Sequence, residues 1–345
     1  MFEINGRQIG EKYPPYIIAE ISNNHLNDIE RAFELIYHAK EAGVDALKIQ
    51  TYTPDSLTID CDKKDFIIQD DLWKGKTYYN LYKEIAMPLS WNKLLFDKAR
   101  EVDITIFSSP FDELSVDLLE DLNTPAYKIA SFESKDPVFV KKIASTGKPL
   151  IISTGVSTLD EIMETIHIAK DAGNQNIAIL HCISSYPTSV TDMNLKALLK
   201  LKKLGVLIGL SDHSLSNLAP ILSIALGASI IEKHFTLSRS DGGPDSAFSL
   251  EPDELQLLKS DTYSSWKALG EEDILSVKVR EGRENARSLY FIKDTARGEI
   301  ISTQHIRSIR PGFGLEPKYL NEIIGMCATK DIERGTAVSW ELVSE

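Results

Sequence analysis

Two histidines close two short apolar runs late in the chain, and chemistry is first legible around them. One run reads Gly209-Leu210-Ser211-Asp212-His213-Ser214, the other Ile230-Ile231-Glu232-Lys233-His234-Phe235, and Gly243-Pro244-Asp245 follows in a loop. On a β-strand, alternate side chains share a face. Ser211 then accompanies His213, Glu232 accompanies His234, and Lys233 points the other way. Two such strands side by side bring both imidazoles together, as nitrogen ligands for a divalent metal that completes its shell with oxygens of water or substrate. A single strand-end histidine is more often structural. The matched placement of two after successive units is what favours a site.

The elements that must position them recur along the chain. Apolar, β-rich runs fall at 16–20, 46–50, 105–109, 126–130, 150–154, 177–181, 206–211 and 229–232. Amphipathic helical segments separate them, such as 29–42, closed by Gly43 in the manner of a helix C-terminus, and 159–172. Alternating β and α elements imply parallel strands with right-handed crossovers. Eight units over about 250 residues match an α/β fold of the (β/α)8 TIM barrel type. An open doubly wound sheet is the alternative, but no glycine-rich phosphate loop follows the first strand.

In such a barrel, the polar residues at the C-terminal strand ends are the catalytic candidates. Here they are Glu20, Lys48, Gln50, Ser109, Lys128, Ser131, Glu133, Ser153, Thr154, Ser184, Ser211, His213, Glu232 and His234. Burying Lys48 and Lys128 requires a bound anion or pairing with Glu20, Glu133 or Glu232. The serines suit phosphate or carboxylate oxygens, which a purely internal ion-pair network would not need. No Ser-His-Asp arrangement with a nucleophile elbow is present.

The wider chain sets limits. It has 345 residues, 43% of them hydrophobic, enough for one large domain and a small one. A net charge of -13 excludes a nucleic-acid surface and leaves any anionic substrate to a local cationic cluster. Cys61, Cys182 and Cys327 are odd in number and scattered, as expected of reduced thiols in a cytoplasmic protein. Cys182 reads as buried filler. The start lacks a signal-like pattern, and the most apolar stretch, 218–231, is broken by Pro220 and Gly227, so no membrane partner is expected.

The Asn5-Gly6 pair predicts an N-terminal hairpin. The long segment 51–89, with Trp73, Tyr78, Tyr79 and Tyr82, reads as a lid or a substrate-contacting excursion. The barrel with its hairpin is assigned to 1–273, a linker to 274–285, with the charged stretch 277–285 suiting a linker or connecting helix, and a small β-rich module to 286–345. In that module Lys293-Asp294-Thr295-Ala296-Arg297-Gly298 returns as Lys330-Asp331-Ile332-Glu333-Arg334-Gly335. The repeat predicts pseudo-symmetry.

Taken together, Ile18-Ala19-Glu20-Ile21, Lys48-Ile49-Gln50-Thr51, Tyr127-Lys128-Ile129-Ala130-Ser131, Ser153-Thr154-Gly155, Ser211-Asp212-His213-Ser214, Glu232-Lys233-His234-Phe235 and Arg310-Pro311-Gly312 resemble the sialic acid synthase family. The resemblance covers essentially the whole chain. It implies a barrel joined to a small antifreeze-like (SAF, β-clip) domain. It also implies condensation of phosphoenolpyruvate with an open-chain amino-sugar aldehyde, giving a nine-carbon 2-keto acid and phosphate. The segments 50–58, 130–133 and 287–290 are most similar to the pseudaminic acid branch, whose sugar is a 2,4-diacetamido-2,4,6-trideoxy-altrose. The alternatives are an N-acetylneuraminate or legionaminate synthase using an N-acetylmannosamine-type sugar, or a non-catalytic sugar-binding protein on the same scaffold.

By matching motif positions, the resemblance gives His213 and His234 to a divalent metal, Mn²⁺ with Mg²⁺ or Co²⁺ as alternatives. Lys48, Ser109, Lys128, Ser131, Ser153, Ser184 and Ser211 would hold phosphoenolpyruvate. Glu20, Gln50, Tyr186, Glu232 and Asp245 would face the sugar, Glu133 would join the substrate contacts, and Arg310 would come from the second subunit of a domain-swapped homodimer. The metal would polarise the aldehyde for attack by C3 of the enol, with Lys48 and Lys128 stabilising phosphate. Glu20 or Glu232 would manage the proton of the water that adds at C2. Ala130-Ser131-Phe132-Glu133 and Ile183-Ser184 stand where the sialic acid branch has Gly-Ser-Gly-Glu and Thr-Asn, and the bulk of Phe132 implies a less polar, 6-deoxy sugar.

Overall fold

Asn5 and Gly6 both adopt positive φ, 48° and 78°, the backbone of a tight hairpin turn. They join the antiparallel strands β1 (Phe2–Ile4) and β2 (Arg7–Ile9). The computed structural model describes residues 1–69, 74–271 and 282–345 and falls into two units, Met1–Leu269 and Gly270–Glu345. In the first unit eight parallel strands close a barrel: β3 (Tyr16–Glu20), β4 (Ala46–Thr51), β5 (Thr105–Pro110), β6 (Tyr127–Ile129), β7 (Leu150–Ser153), β8 (Ile177–His181), β9 (Leu207–Asp212) and β10 (Ile230–His234). Strand β10 pairs with both β9 and β3.

Two-residue alternation explains why these runs form a barrel. Ile17, Ala19, Leu47 and Ile49 face outward into the layer shared with the helices. Tyr16, Ile18, Phe107, Ile151 and Ile230 face inward, where Phe2, Ile4 and Ile9 of the hairpin join them. Two residues further along, the inner face turns polar. Glu20 follows Ile18, Lys48 follows Ala46, Ser109 follows Phe107, Lys128 follows Ala126, Ser153 follows Ile151 and Glu232 follows Ile230, all of them buried. The apolar plug and the charged mouth are therefore successive layers of one side-chain stack.

One backbone approach is unusually close. A Cβ at Gly209, opposite Ile230 in the ladder, would stand 2.4 Å from the Ile230 carbonyl oxygen and 2.5 Å from a Leu180 methyl group. Glycine at this position lets β9 and β10 lie together. The helices follow their caps. Ile29–Glu41 begins where the Asp28 carboxylate accepts the Glu30 N–H at 2.9 Å, buries Ala32, Leu35, Ile36 and Ala39 on one stripe, and gives way to Gly43 at φ 74°.

The segment after β4 carries the short helices Pro54–Leu57 and Tyr78–Ile85. Trp73 lies outside the described residues. Tyr52 is buried and meets Tyr82 and Phe111 edge-on, at centroid distances of 6.3 and 5.4 Å. Among the described residues no helix is long and apolar enough to cross a membrane.

In the second unit β11 (Ser288–Phe291) pairs with β12 (Ile306–Ile309), and β13 (Cys327–Ala328) with β14 (Val343–Ser344), both antiparallel. Residues 274–281 of the expected linker lie outside the described residues, and Gly282–Asn285 is a 3-10 turn. The repeated hexapeptides are tied by reciprocal bonds. Thr295 and Ile332 exchange N–H to carbonyl bonds of 2.9 Å in both directions. The Arg297 N–H donates to Asp331, and the Arg334 N–H to Asp294, each at 2.8 Å. Gly298 N–H to Ala328 and Gly335 N–H to Phe291, both 2.8 Å, complete the correspondence. The repeat is a local two-fold axis, with each copy's aspartate satisfying the other copy's backbone.

Asp294→Ala and Asp331→Ala should each remove about 1 kcal/mol from this unit, the net value of a typical hydrogen bond. Hydrogen exchange checks this: amides within 286–344 should lose protection in either variant while barrel amides keep theirs.

Candidate active site

Strand alternation delivers two ammonium groups and two carboxylates to one level of the barrel. Lys48 Nζ lies 2.5 Å from Glu20 Oε2, 3.8 Å from Glu232 Oε1 and 3.3 Å from Ser109 Oγ. Lys128 Nζ lies 3.4 Å from the same Glu232 oxygen, which also accepts the Ser211 hydroxyl at 3.1 Å. Glu232 Oε2 has no hydrogen-bond partner among the described residues. The expected pairing of the lysines with Glu20 and Glu232 is present. Glu133 ion-pairs with neither lysine among the described residues; it is half-buried, with Oε2 unpartnered.

Electrostatics separates the carboxyls. Burial raises the Glu20 carboxyl above its ordinary value despite Lys48, and the charge of Glu232 adds to that rise. Burial raises Glu133 and Asp245 as well. Burial alone would raise Glu232 too, but Lys128, Lys48 and the Ser211 hydroxyl overcome it and hold this carboxyl low. One carboxyl is held low while its neighbours are raised, the kind of separation that distinguishes a charge holder from a proton carrier.

His213 and His234 meet with ring centroids 5.4 Å apart. The Ile183 carbonyl can only accept, so His213 donates through Nδ1 at 3.0 Å, which leaves Nε2 with a free lone pair. His234 Nδ1 is buried without a partner among the described residues. Burial lowers His213, against the pull of Ile183 and Glu232, and lowers His234 well below the ordinary imidazole value, with His213 and both lysines adding to it. Both rings are neutral near pH 7, the form that ligates metal. Phe248 stands edge-on to His234 at 4.9 Å, and Tyr186 lies 4.5 Å from His213. Two neutral nitrogens with free lone pairs fit a divalent cation. Among the described residues no cluster of three or more His, Cys, Asp or Glu is available, so its other ligands would be oxygens of water or substrate.

Hydroxyls converge on a glycine. The Gly155 N–H donates to Ser131 Oγ at 3.0 Å, and that oxygen lies 3.2 Å from Cys182 Sγ. A Cβ on Gly155 would stand 2.3 Å from Ser184 Oγ, 2.8 Å from Cys182 Sγ and 3.0 Å from Ser131 Oγ. Ser153 Oγ and Ser184 Oγ are buried and without a hydrogen-bond partner among the described residues. Buried hydroxyls left so cost about 1–3 kcal/mol each, and at the end of β7, next to the Lys128 strand, and in the loop after β8 they suit the oxygens of an anion. Cys182 is buried as expected, yet its thiol also touches the cradle. Thr154 turns away, donating to the Leu180 carbonyl.

Opposite the cradle, Gln50 Nε2 donates to Glu20 Oε1 at 3.1 Å and to Ser22 Oγ at 3.0 Å, and Asn23 Nδ2 reaches Asp245 Oδ2 at 3.3 Å. Tyr186 is half-exposed and Phe132 is 64% exposed. Arg310 is exposed in the second unit, on the loop after β12. Motif reading passed over Ser22, Asn23, Tyr52, Phe248 and the cradle role of Gly155. Loop residues carry no strand periodicity, so only Gly155, directly after a hydroxyl-rich strand end, left a signal.

Gly155→Ala should weaken phosphoenolpyruvate binding by roughly tenfold or more, about 1.4 kcal/mol, because the methyl group occupies the cradle. Its φ is not in the left-handed region, so backbone strain adds nothing, but Ser184 and Cys182 must shift to admit the methyl group and the melting temperature should fall by a few degrees as well. Calorimetric titration and thermal melts read the two effects separately.

Comparisons with known proteins find relatives over most of the chain. The NeuB family model matches residues 35–274, and a SAF domain model matches 286–344. The chain is 46% identical to a pseudaminic acid synthase of Campylobacter jejuni (strain 81-176), over 94% of this chain and 95% of that one. It is 33% identical to the N,N'-diacetyllegionaminic acid synthase of Legionella pneumophila, over 98% of each. Among solved structures, the N-acetylneuraminic acid synthetase of Leptospira borgpetersenii superposes with a TM-score of 0.73 at 31% identity, covering 81% of this chain and 94% of that one. With residues 35–274 matched by the family model and 94% of the chain aligned to a relative 46% identical, the chain belongs to the NeuB family.

Proposed function

We propose that this chain condenses phosphoenolpyruvate with 2,4-diacetamido-2,4,6-trideoxy-altrose to give pseudaminic acid and phosphate. The observation that carries the reading is the mouth itself, where two buried ammonium groups, two neutral imidazoles and a hydroxyl cradle meet. The choice of sugar is supported by identity to the relative named for pseudaminic acid, 46% against 33% for the one named for diacetyllegionaminic acid.

Lys48 and Lys128 would hold the enol phosphate, with Ser131, Ser153, Ser184 and the open face of Gly155 receiving its oxygens. His213 and His234 would hold a divalent cation, Mn²⁺ above Mg²⁺ or Co²⁺, which supplies Lewis-acid polarisation of the sugar aldehyde when bound. Glu20, whose carboxyl burial raises above its ordinary value, would give a proton to the aldehyde oxygen as C3 of the enol bonds to the aldehyde carbon. The resulting Glu20 carboxylate would take a proton from the water that adds at C2, restoring its starting state. Breaking of the C2–O bond to phosphate, with the remaining C2 hydroxyl proton passing to the departing phosphate, leaves the 2-keto acid. Glu232 would stay ionised between the lysines, fixing their positions. Gln50, Asn23 and Asp245 line the approach to Glu20 and would orient the sugar.

Incubation with phosphoenolpyruvate, Mn²⁺ and a panel of amino sugars should release phosphate with the diacetamido-trideoxy-altrose, and mass analysis should show the nine-carbon acid. Release only with N-acetylmannosamine would overturn the sugar assignment, and none with any sugar the catalytic reading. Glu20→Gln should lower kcat roughly a hundredfold or more while KM for phosphoenolpyruvate stays close to normal. Arg310 would complete the site from the second copy of a domain-swapped homodimer. Mixing Arg310→Ala with Lys128→Ala subunits under exchange should then restore about a quarter of the wild-type rate, the share of sites that pair an intact barrel with an intact Arg310.

A further inference from the structure

The ladder between β9 and β10 ends one residue before the first histidine. Its last registered pair is Asp212 opposite Lys233, and His213 lies beyond it. No ladder pair therefore holds the His213 backbone against β10. The side chains of that last pair are fully buried on the outer face of the barrel, and Lys233 Nζ lies 2.8 Å from Asp212 Oδ2. Lys233 also donates to the Ser214 carbonyl. Asp212 in turn accepts the Ser214 N–H at 2.9 Å and the Ser214 hydroxyl at 3.2 Å. Thus one ammonium group, flanked in sequence by Glu232 and His234, grips the residues on both sides of His213.

Stability does not account for such a pair. Replacing a buried ion pair by apolar groups of similar volume is often neutral or stabilising, whereas the best-attested use of one is to set register. Register matters acutely here. A one-residue slip of β9 against β10 would exchange the faces, sending Ser211 and His213 outward and Asp212 inward. We infer that Asp212 and Lys233 are positioning residues, a side-chain rung beyond the end of the ladder that holds His213 and His234 at the separation a shared divalent cation requires. The inference rests on the metal-binding reading above.

The test is Mn²⁺ affinity, followed by the loss of the free-ion signal in electron paramagnetic resonance, beside thermal melts. Asp212→Asn with Lys233→Met keeps the local turn to the Ser214 N–H and removes the interstrand ion pair, together with the Ser214 hydroxyl bond to Asp212 and the Lys233 bond to the Ser214 carbonyl. The double variant should melt within a few degrees of the parent, yet bind Mn²⁺ about tenfold or more weakly, the usual cost of losing an outer-shell support. If it does not accumulate folded, Ser214→Ala, which removes one bond to Asp212 without unpairing a charge, should weaken Mn²⁺ by a few fold. An unchanged Mn²⁺ Kd in the folded variant overturns the inference, and a lowered melting temperature with an unchanged Kd assigns the pair to stability alone. Failure of the parent protein to bind Mn²⁺, or binding untouched by His213→Ala, removes the metal reading and this inference with it.

Discussion

The costliest arrangement in the molecule is the group of charges sealed into the barrel mouth. Lys48, Lys128, Glu20 and Glu232 are all buried, and a buried charge is tolerated only when paired and hydrogen-bonded. Much of the surrounding architecture meets that condition. The hairpin plug fills the barrel below them, Ser109 and Ser211 donate to or accept from them, and Gln50 holds Glu20 from the solvent side. The pairing is incomplete: Glu232 is shared by two lysines and keeps one oxygen free. A site so arranged is preorganised for a further anion.

Dry surroundings also divide the labour between like groups. Glu20 and Glu232 both approach Lys48, yet burial drives one toward its neutral form while two ammonium groups and a hydroxyl hold the other ionised. The same burial keeps both imidazoles neutral. In the function proposed above, the proton carrier, the fixed charge and the ligand nitrogens would therefore come from one low-dielectric layer, with each role set by what that side chain touches.

The small second unit applies a different principle. It is too small for a large core, and its repeated hexapeptides satisfy one another's backbone groups about a local two-fold axis. Its cluster around Leu289, Phe291, Ile306 and Val338 supplies the apolar remainder.

Much was legible in the residue order because strands write their geometry at a period of two. The eight runs, their inward and outward faces and the polar strand ends follow from that period, as does the outward direction of Lys233, and the hairpin follows from the Asn5-Gly6 turn pair. Three things needed the folded chain. Which lysine pairs with which glutamate depends on the closure of β10 onto β3, since closure sets what faces what across the barrel. The cradle at Gly155, just past β7, exists because Ser131 arrives from the end of β6 and Cys182 and Ser184 from the end of β8, the strands on either side. The clamp on His213 depends on where the ladder stops. Local periodicity is a property of neighbouring residues and can be read from their order; distances across a closed barrel arise from packing between distant segments, and only the tertiary structure decided them.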